Sequence, residues 1–71
     1  MIVTRHAREQ MAKRGITVDD VKLALNRPIG DPLPGDLGKI RINGKASNDR
    51  VLSVVYATNS AEVVIVTVYW Q

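Results

Sequence analysis

The sequence contains no cysteine and only one histidine among its 71 residues. Disulfides therefore cannot hold the fold, and a single imidazole without thiolates does not make a zinc site. We expect neither a metal nor another cofactor. The absence of cysteine is typical of a reducing compartment, and no signal-peptide pattern is present, so we expect a bacterial cytoplasmic protein.

Long apolar runs are also missing. The longest, residues 63–70, reads VVIVTVYW. It is far shorter than the roughly 20 residues of a membrane helix, and its β-branched residues favour a strand. We therefore expect no membrane interaction and a sheet organised around this strand.

The two faces of the predicted strand differ in chemistry because side chains alternate along a strand. One face carries Val64, Val66, Val68 and Trp70, and the other carries Val63, Ile65, Thr67 and Tyr69. Only the second set has polar tips. We predict that helices cover the first face and that Thr67 and Tyr69 line a cleft or meet another chain.

Two helices are predicted before the sheet, and the apolar residues 1–3 fit either a short strand or a hydrophobic staple in front of the first helix. Thr4 is an N-cap for a helix from Arg5 to Arg14, and Gly15 falls where a left-handed C-cap is expected. Thr17 has an acidic residue three positions later, Asp20, which is the spacing of a capping box for a second helix.

The remaining chain predicts a sheet after an irregular connection. Residues 27–38 hold all three prolines and no periodicity, and so long a loop is either a binding loop or a plain connection. Residues 39–43, 50–57 and 62–70 read as strands. We predict a single α+β domain over residues 1–71, with two N-terminal helices followed by a three-stranded antiparallel β-meander.

The net charge of +3 lies entirely in the first helical segment. Residues 1–16 hold Arg5, Arg8, Lys13 and Arg14 against Glu9, which gives 4 − 1 = +3. The rest of the chain is balanced. A concentrated cationic face attracts phosphate groups, which makes RNA a candidate partner.

Several enzyme classes lack their motifs. No glycine has the spacing of a P-loop, and no serine lies in a nucleophile elbow. The remaining chemistry-bearing residues are His6, Arg8, Lys13, Arg14, Arg41, Thr67 and Tyr69. These types suit RNA cleavage without metal, which needs a base for the 2′-hydroxyl, cations for the phosphorane and an acid for the leaving oxygen. Each of them also fits a solvated surface or a dimer rim.

The stretches HAREQMAKRGI, TVDDV and VIVTVY together resemble a family of domains of unknown function grouped with RelE-like toxins of the barnase, EndoU, colicin and RelE nuclease superfamily. The resemblance implies a RelE-like ribonuclease toxin with an antitoxin partner. It matches the family's histidine to His6, its arginine to Arg14, and its closing threonine and tyrosine to Thr67 and Tyr69. Gln10 departs from the pattern, since the family has arginine there.

The site expected from these residues has assigned roles. His6 acts as general acid or base, Arg14 and Arg41 hold the phosphate, and Tyr69 orients or exchanges a proton. Arg41 is included for its outward position on the first predicted strand. The substrate is further bound by Arg8, Lys13 and Thr67.

Two other functions stay open from the sequence. The basic helix suits a non-catalytic module that binds RNA or a protein. A domain of this length is near the lower limit for folding alone, so a structural homodimer through the strand from Val63 to Trp70 is the third reading.

Overall fold

The computed structural model describes residues 1–71 as an α+β fold. In chain order its elements are β1 (Ile2–Val3), α1 (Arg5–Arg14), α2 (Val18–Asn26), β2 (Leu33–Pro34), a 3-10 turn (Asp36–Gly38), β3 (Ile40–Lys45), β4 (Val51–Asn59) and β5 (Glu62–Trp70). The two predicted helices are confirmed. No helix has the length and the continuous apolar surface needed to cross a membrane.

Both helices begin at the predicted caps. Thr4 Oγ1 accepts a hydrogen bond from the backbone N–H of Ala7 at 3.1 Å, and Gly15 ends α1 in the left-handed conformation with φ 65°. At α2, Thr17 and Asp20 form a complete capping box with bonds of 3.1 and 3.0 Å. The side chains thus satisfy N–H groups that a helix start leaves without partners.

Asp20 also ties α2 to the loop between β3 and β4. Asp20 is only 5% exposed. Its carboxylate accepts hydrogen bonds from the Ser47 hydroxyl and, at 3.2 Å, from the Ser47 backbone N–H. These hydrogen bonds, led by that of the Ser47 hydroxyl, lower the pKa of Asp20 from 3.8 to about 2. The cap is therefore also a tertiary contact.

The sheet has five strands in the order β1-β5-β4-β3-β2. β3, β4 and β5 pair antiparallel in chain order, but β1 joins β5 in parallel and β2 adds to the outer edge of β3. The predicted three-stranded antiparallel meander was wrong, because the sheet is mixed and five-stranded. The two extra strands have two residues each, too few to show the alternation that identifies a strand in a sequence.

A β-bulge interrupts the long pairing of β4 with β5. Val55 pairs with Thr67, and the next residue, Tyr56, pairs with Ile65. Val66 is therefore the extra residue. One extra residue shifts the alternation of side chains by one position.

The bulge changes which side chains of β5 face the helices. Ile65 and Val68 are both 0% exposed and belong to one core cluster. The prediction of opposite faces for these two residues was wrong, because it assumed an uninterrupted strand. Thr67 and Tyr69 alternate with Val68 and lie on the other face, as predicted.

The helices cover one face of the sheet and build the core with it. The fully or nearly buried apolar residues are Ala7, Met11, Ile16, Val21, Ala24, Ile42, Ala46, Leu52, Val54, Ile65 and Val68. α2 comes closest to the sheet at Gly44, where a Cβ would lie 1.9 Å from the carbonyl oxygen of Ala24. Glycine at this position allows the helix backbone to lie directly on β3.

Side chains from α1 and its cap cover the edge of β5 beyond its contact with β1. Thr4 Oγ1 donates to the carbonyl oxygen of Val66 at 3.3 Å, and Arg14 Nη1 donates to that of Val68 at 3.0 Å. Side chains that engage edge carbonyls leave fewer of them for pairing with another chain. The homodimer through residues 63–70 stays a prediction.

Candidate functional site

The face of the sheet opposite the helices, called here the open face, brings distant positions together. In the three long strands its side chains include Arg41, Asn43, Ser53, Val55, Thr67 and Tyr69. Strand pairing places Arg41, Val55 and Thr67 in one row across β3, β4 and β5. The sheet register therefore builds this surface from residues that the sequence separates.

Part of the open face forms a cleft of about 360 Å³, called here the sheet cleft. Its lining residues are Pro34, Gly35, Asp36, Lys39, Arg41, Val55 and Tyr69. The long strands provide the floor, and β2 with the 3-10 turn provides one wall. The volume lies in the range of pockets that bind small ligands, about 300–1,000 Å³.

Arg41 has few protein partners in the sheet cleft. Its Nη1 donates to the phenol oxygen of Tyr69 at 3.4 Å, which is long for a hydrogen bond. Its Nε is shielded from solvent without an acceptor, and Arg41 takes part in none of the ion pairs. Since a guanidinium has five N–H donors, most of the donors of Arg41 have no partner within the protein. A buried unpaired donor costs about 1–3 kcal/mol, and a ligand acceptor would reduce that cost.

The charges that line the sheet cleft are those of Arg41, Lys39 and Asp36. Their sum is 2 − 1 = +1, and Asp36 forms no ion pair with either cation. Tyr69 adds a phenol, which donates or accepts, and an aromatic ring. The arrangement fits a ligand that combines an anionic group with a flat ring.

A polar cluster closes the open face beside Tyr69. Ser53 pairs with Tyr69 across the strands and is 0% exposed, and its Oγ donates to Asn43 Oδ1 at 2.6 Å. Gln71 Nε2 donates to the same Asn43 oxygen at 3.3 Å and to the Ser53 hydroxyl. These groups bind one another and do not line the sheet cleft, so we do not assign them to the ligand site.

The structure brings together three of the residues proposed from the sequence. Arg41 and Tyr69 are in contact. Thr67 is partly buried on the same face, in the row of Arg41 and one row away from Tyr69. Arg41 and Tyr69 line the cleft, whereas Thr67 does not.

The proposed residues on α1 lie elsewhere. His6, Arg8 and Lys13 are exposed and do not line the sheet cleft. α1 packs through Ala7 and Met11 against the core, on the side of the sheet opposite the cleft. The structure therefore does not bring His6 to the Arg41–Tyr69 pair.

Arg14 is engaged at the end of β5. Its guanidinium donates to the carbonyl of Val68 at 3.0 Å, and its own carbonyl accepts from the indole N–H of Trp70 at 2.8 Å. Both contacts join α1 to β5. They give Arg14 a structural task that the sequence motif does not reveal.

Two cleft residues were not proposed from the sequence. Lys39 directly precedes β3, and alternation along the strand places it on the same face as Arg41. The sequence could therefore have identified it as a cleft residue. Asp36 lies in the irregular connection, which was recognised only as a loop long enough to bind a ligand. Its position depends on β2 pairing with β3, and a two-residue strand gives no sequence signal.

Comparison with known proteins relates nearly the whole chain to one family. A family model described as a domain of unknown function, DUF4258, matches residues 3–70. No curated protein and no solved structure matches the chain. Because the match covers nearly the whole chain, including both helices and the three long strands, the chain belongs to the DUF4258 family.

Proposed function

We propose that this protein is a metal-independent endoribonuclease domain of the RelE-like kind, which binds single-stranded RNA in the sheet cleft. The observation that carries the proposal is the Arg41 guanidinium, which has one long hydrogen bond to Tyr69 and no carboxylate partner. RNA offers partners for both the Arg41 guanidinium and the Tyr69 ring. Phosphate oxygens accept from a guanidinium, and unpaired bases stack on aromatic rings.

The cleft groups match the charge changes of RNA cleavage. Attack of the 2′-hydroxyl oxygen on phosphorus adds negative charge to the phosphate oxygens, which Arg41 and Lys39 stabilise. Tyr69 donates its proton to the departing 5′-oxygen. Water accepts the proton of the 2′-hydroxyl, so the products carry a 2′,3′-cyclic phosphate and a 5′-hydroxyl.

The grouping with RelE-like toxins is supported by the sequence resemblance of residues 6–16 and of the closing strand. It is also supported by the position of Tyr69, which the resemblance assigns to the site and which lines the cleft. A toxin of this kind acts with an antitoxin protein. Such a partner, which would cover the open face, belongs to the proposal.

A second candidate function rests on the outer surface of α1. Arg8 and Lys13 are exposed there and form no ion pair. Cations that are free of protein partners attract phosphate or acidic protein surfaces. In this alternative α1 binds RNA or a protein, and no cleavage takes place.

The proposal is tested by incubating labelled single-stranded RNA with purified protein in the presence of EDTA. The Arg41→Ala substitution should slow cleavage by about 100-fold or more, since it removes the main phosphate donor. Tyr69→Phe should slow it by about 100-fold through loss of the proton donor. Both variants should keep the far-UV circular dichroism of the wild type.

Matched controls separate these effects from general loss of charge or of phenol. Lys22→Ala removes an exposed cation on α2, and Tyr56→Phe removes a phenol outside the cleft. Both should cleave at nearly the wild-type rate. Wild-type protein that cleaves no faster than Arg41→Ala would refute the nuclease proposal.

A further inference from the structure

The wall of the sheet cleft carries one carboxylate on a tightly closed turn. The backbone N–H of Gly35 donates to the carbonyl of Lys39 at 2.8 Å, and the N–H of Lys39 donates to that of Asp36 at 3.1 Å. Between them, Leu37 has a positive φ of 56°, which is unfavourable for leucine. The turn therefore presents Asp36 and Lys39 to the cleft from a defined backbone.

A carboxylate is unexpected in a cleft that binds only phosphate. Asp36 repels phosphate oxygens, since both are negative at neutral pH. It does not neutralise Lys39 or Arg41 within the protein, because it forms an ion pair with neither. Its acceptor oxygens thus remain available to hydrogen-bond donors of the ligand.

The donors of an RNA chain lie on its bases and on the 2′-hydroxyl. Guanine is the base whose Watson–Crick edge places two donors side by side, the ring N1–H and the N2 amino group, which match the two oxygens of a carboxylate. Adenine and cytosine each present one amino donor next to a ring nitrogen acceptor, and uracil presents one N–H between two carbonyl oxygens. A carboxylate therefore accepts two hydrogen bonds from guanine and meets a repelling acceptor on the other three bases.

We infer that Asp36 selects guanine in the RNA that occupies the sheet cleft. The inference rests on the proposed function, since it requires RNA in this cleft. Arg41 and Lys39 hold the phosphate, while the apolar surface of Pro34 and Val55 and the ring of Tyr69 contact the base. The cleft volume of about 360 Å³ is consistent with one nucleotide.

Binding of chemically modified oligonucleotides tests the inference independently of cleavage. The probes are fluorescein-labelled, fully 2′-O-methylated strands UUGUU, UUIUU and UUAUU, which cannot be cleaved because the attacking hydroxyl is blocked. Inosine (I) lacks only the N2 amino group of guanosine. In fluorescence anisotropy, wild-type protein should bind the guanosine probe about 10-fold more tightly than the inosine or adenosine probe.

The variant Asp36→Asn should lose this preference while it still binds the adenosine probe at least as tightly as the wild type, because a repelling charge is gone. Asp31→Asn is the matched control, since Asp31 lies in the same connection but does not line the cleft. It should keep the preference. Equal affinity of the wild type for all three probes, or a preference that survives in Asp36→Asn, would overturn the inference.

Cleavage data distinguish failure of this inference from failure of the proposed function. Guanine preference without any cleavage of unmodified RNA would support guanine selection by Asp36 and refute the nuclease proposal. Cleavage at equal rates next to every base would refute guanine selection by Asp36 and leave the nuclease proposal intact. If Asp36→Asn abolished cleavage of all RNAs and left probe affinities unchanged, Asp36 would be the general base instead of a specificity residue.

Discussion

The indole N–H of Trp70 donates to the backbone carbonyl of Arg14 at 2.8 Å, while the Arg14 guanidinium donates to the carbonyl of Val68 at 3.0 Å. These reciprocal bonds join the end of α1 to the end of β5. The guanidinium of Arg50 lies 4.3 Å from the centroid of the Trp70 ring and covers it. Arg14 is thus part of the scaffold behind the open face.

The Arg14→Ala substitution should therefore lower the free energy of unfolding by about 1.5–3 kcal/mol, since it removes a charged donor to a backbone carbonyl. Urea unfolding followed by the fluorescence of Trp70, the only tryptophan, measures this change. Lys13→Ala is the matched control, because it removes an exposed cation next in sequence. Its effect should stay within about 0.5 kcal/mol. Equal effects of the two variants would contradict a structural role for Arg14.

The contact between Gly44 and Ala24 predicts an intolerant position in β3. A methyl group on Gly44 would lie 1.9 Å from the Ala24 carbonyl oxygen, so α2 would have to move away from the sheet. Gly44→Ala should destabilise the fold by about 3 kcal/mol or more. A Cβ on Gly30 would meet no neighbouring atom within 4 Å, but φ there is 73°. Gly30→Ala should therefore lower the free energy of unfolding by only about 1 kcal/mol. Thermal unfolding of both variants decides, and a smaller loss for Gly44→Ala would show that α2 is not held against β3.

The hydrogen bonds of Asp20 predict a pH dependence of stability. Its pKa is lowered from 3.8 to about 2 in the folded state, so its contribution is complete above pH ~4 and is lost as the pH falls through about 2. Asp20→Asn should cost on the order of 1–2 kcal/mol at neutral pH, and its difference from the wild type should shrink between pH ~4 and ~2. Asp19→Asn, at the exposed neighbour, whose side chain makes no hydrogen bond within the protein, should cost less than Asp20→Asn at neutral pH. A difference that does not vary with pH would contradict the assigned hydrogen bonds.

The separation of His6 from the sheet cleft predicts different effects of two substitutions in cells. If expression of the wild-type protein inhibits bacterial growth, Tyr69→Phe should relieve the inhibition, because the phenol lies in the cleft. His6→Ala should leave the inhibition in place, because His6 is exposed on α1 and does not line the cleft. If His6→Ala relieved growth inhibition as much as Tyr69→Phe at equal protein levels, His6 would be needed for activity, and its exclusion from the site would be wrong.

Local signals in the sequence predicted the elements that depend on local chemistry. The caps at Thr4, Gly15 and Thr17 are confirmed, because each uses bonds within a few residues of itself. The strand Glu62–Trp70 has the bounds that were read from its β-branched run. The outward position of Arg41 also followed from simple alternation.

The features that the sequence did not reveal depend on contacts between distant segments. Residues 1–3 allowed a short strand or a helix staple, and the pairing of β1 with β5 decides for the strand. The bulge at Val66 arises from the pairing of β5 with β4. The motif that contains His6 and Arg14 suggested one site, but a motif does not state which side of the sheet its helix covers. Asp36 entered the candidate site only through the folding of the proline-rich connection against β3.

Nuclear magnetic resonance of isotope-labelled protein titrated with single-stranded RNA tests most directly whether the open face is the functional surface. We expect chemical-shift changes at Lys39, Arg41, Val55 and Tyr69, with little change on the outer surface of α1. These changes should disappear in Arg41→Ala and persist in Lys22→Ala. Shift changes confined to Arg8, Lys13 and their neighbours on α1 would rule out the sheet cleft as the RNA-binding surface and favour binding by the basic helix.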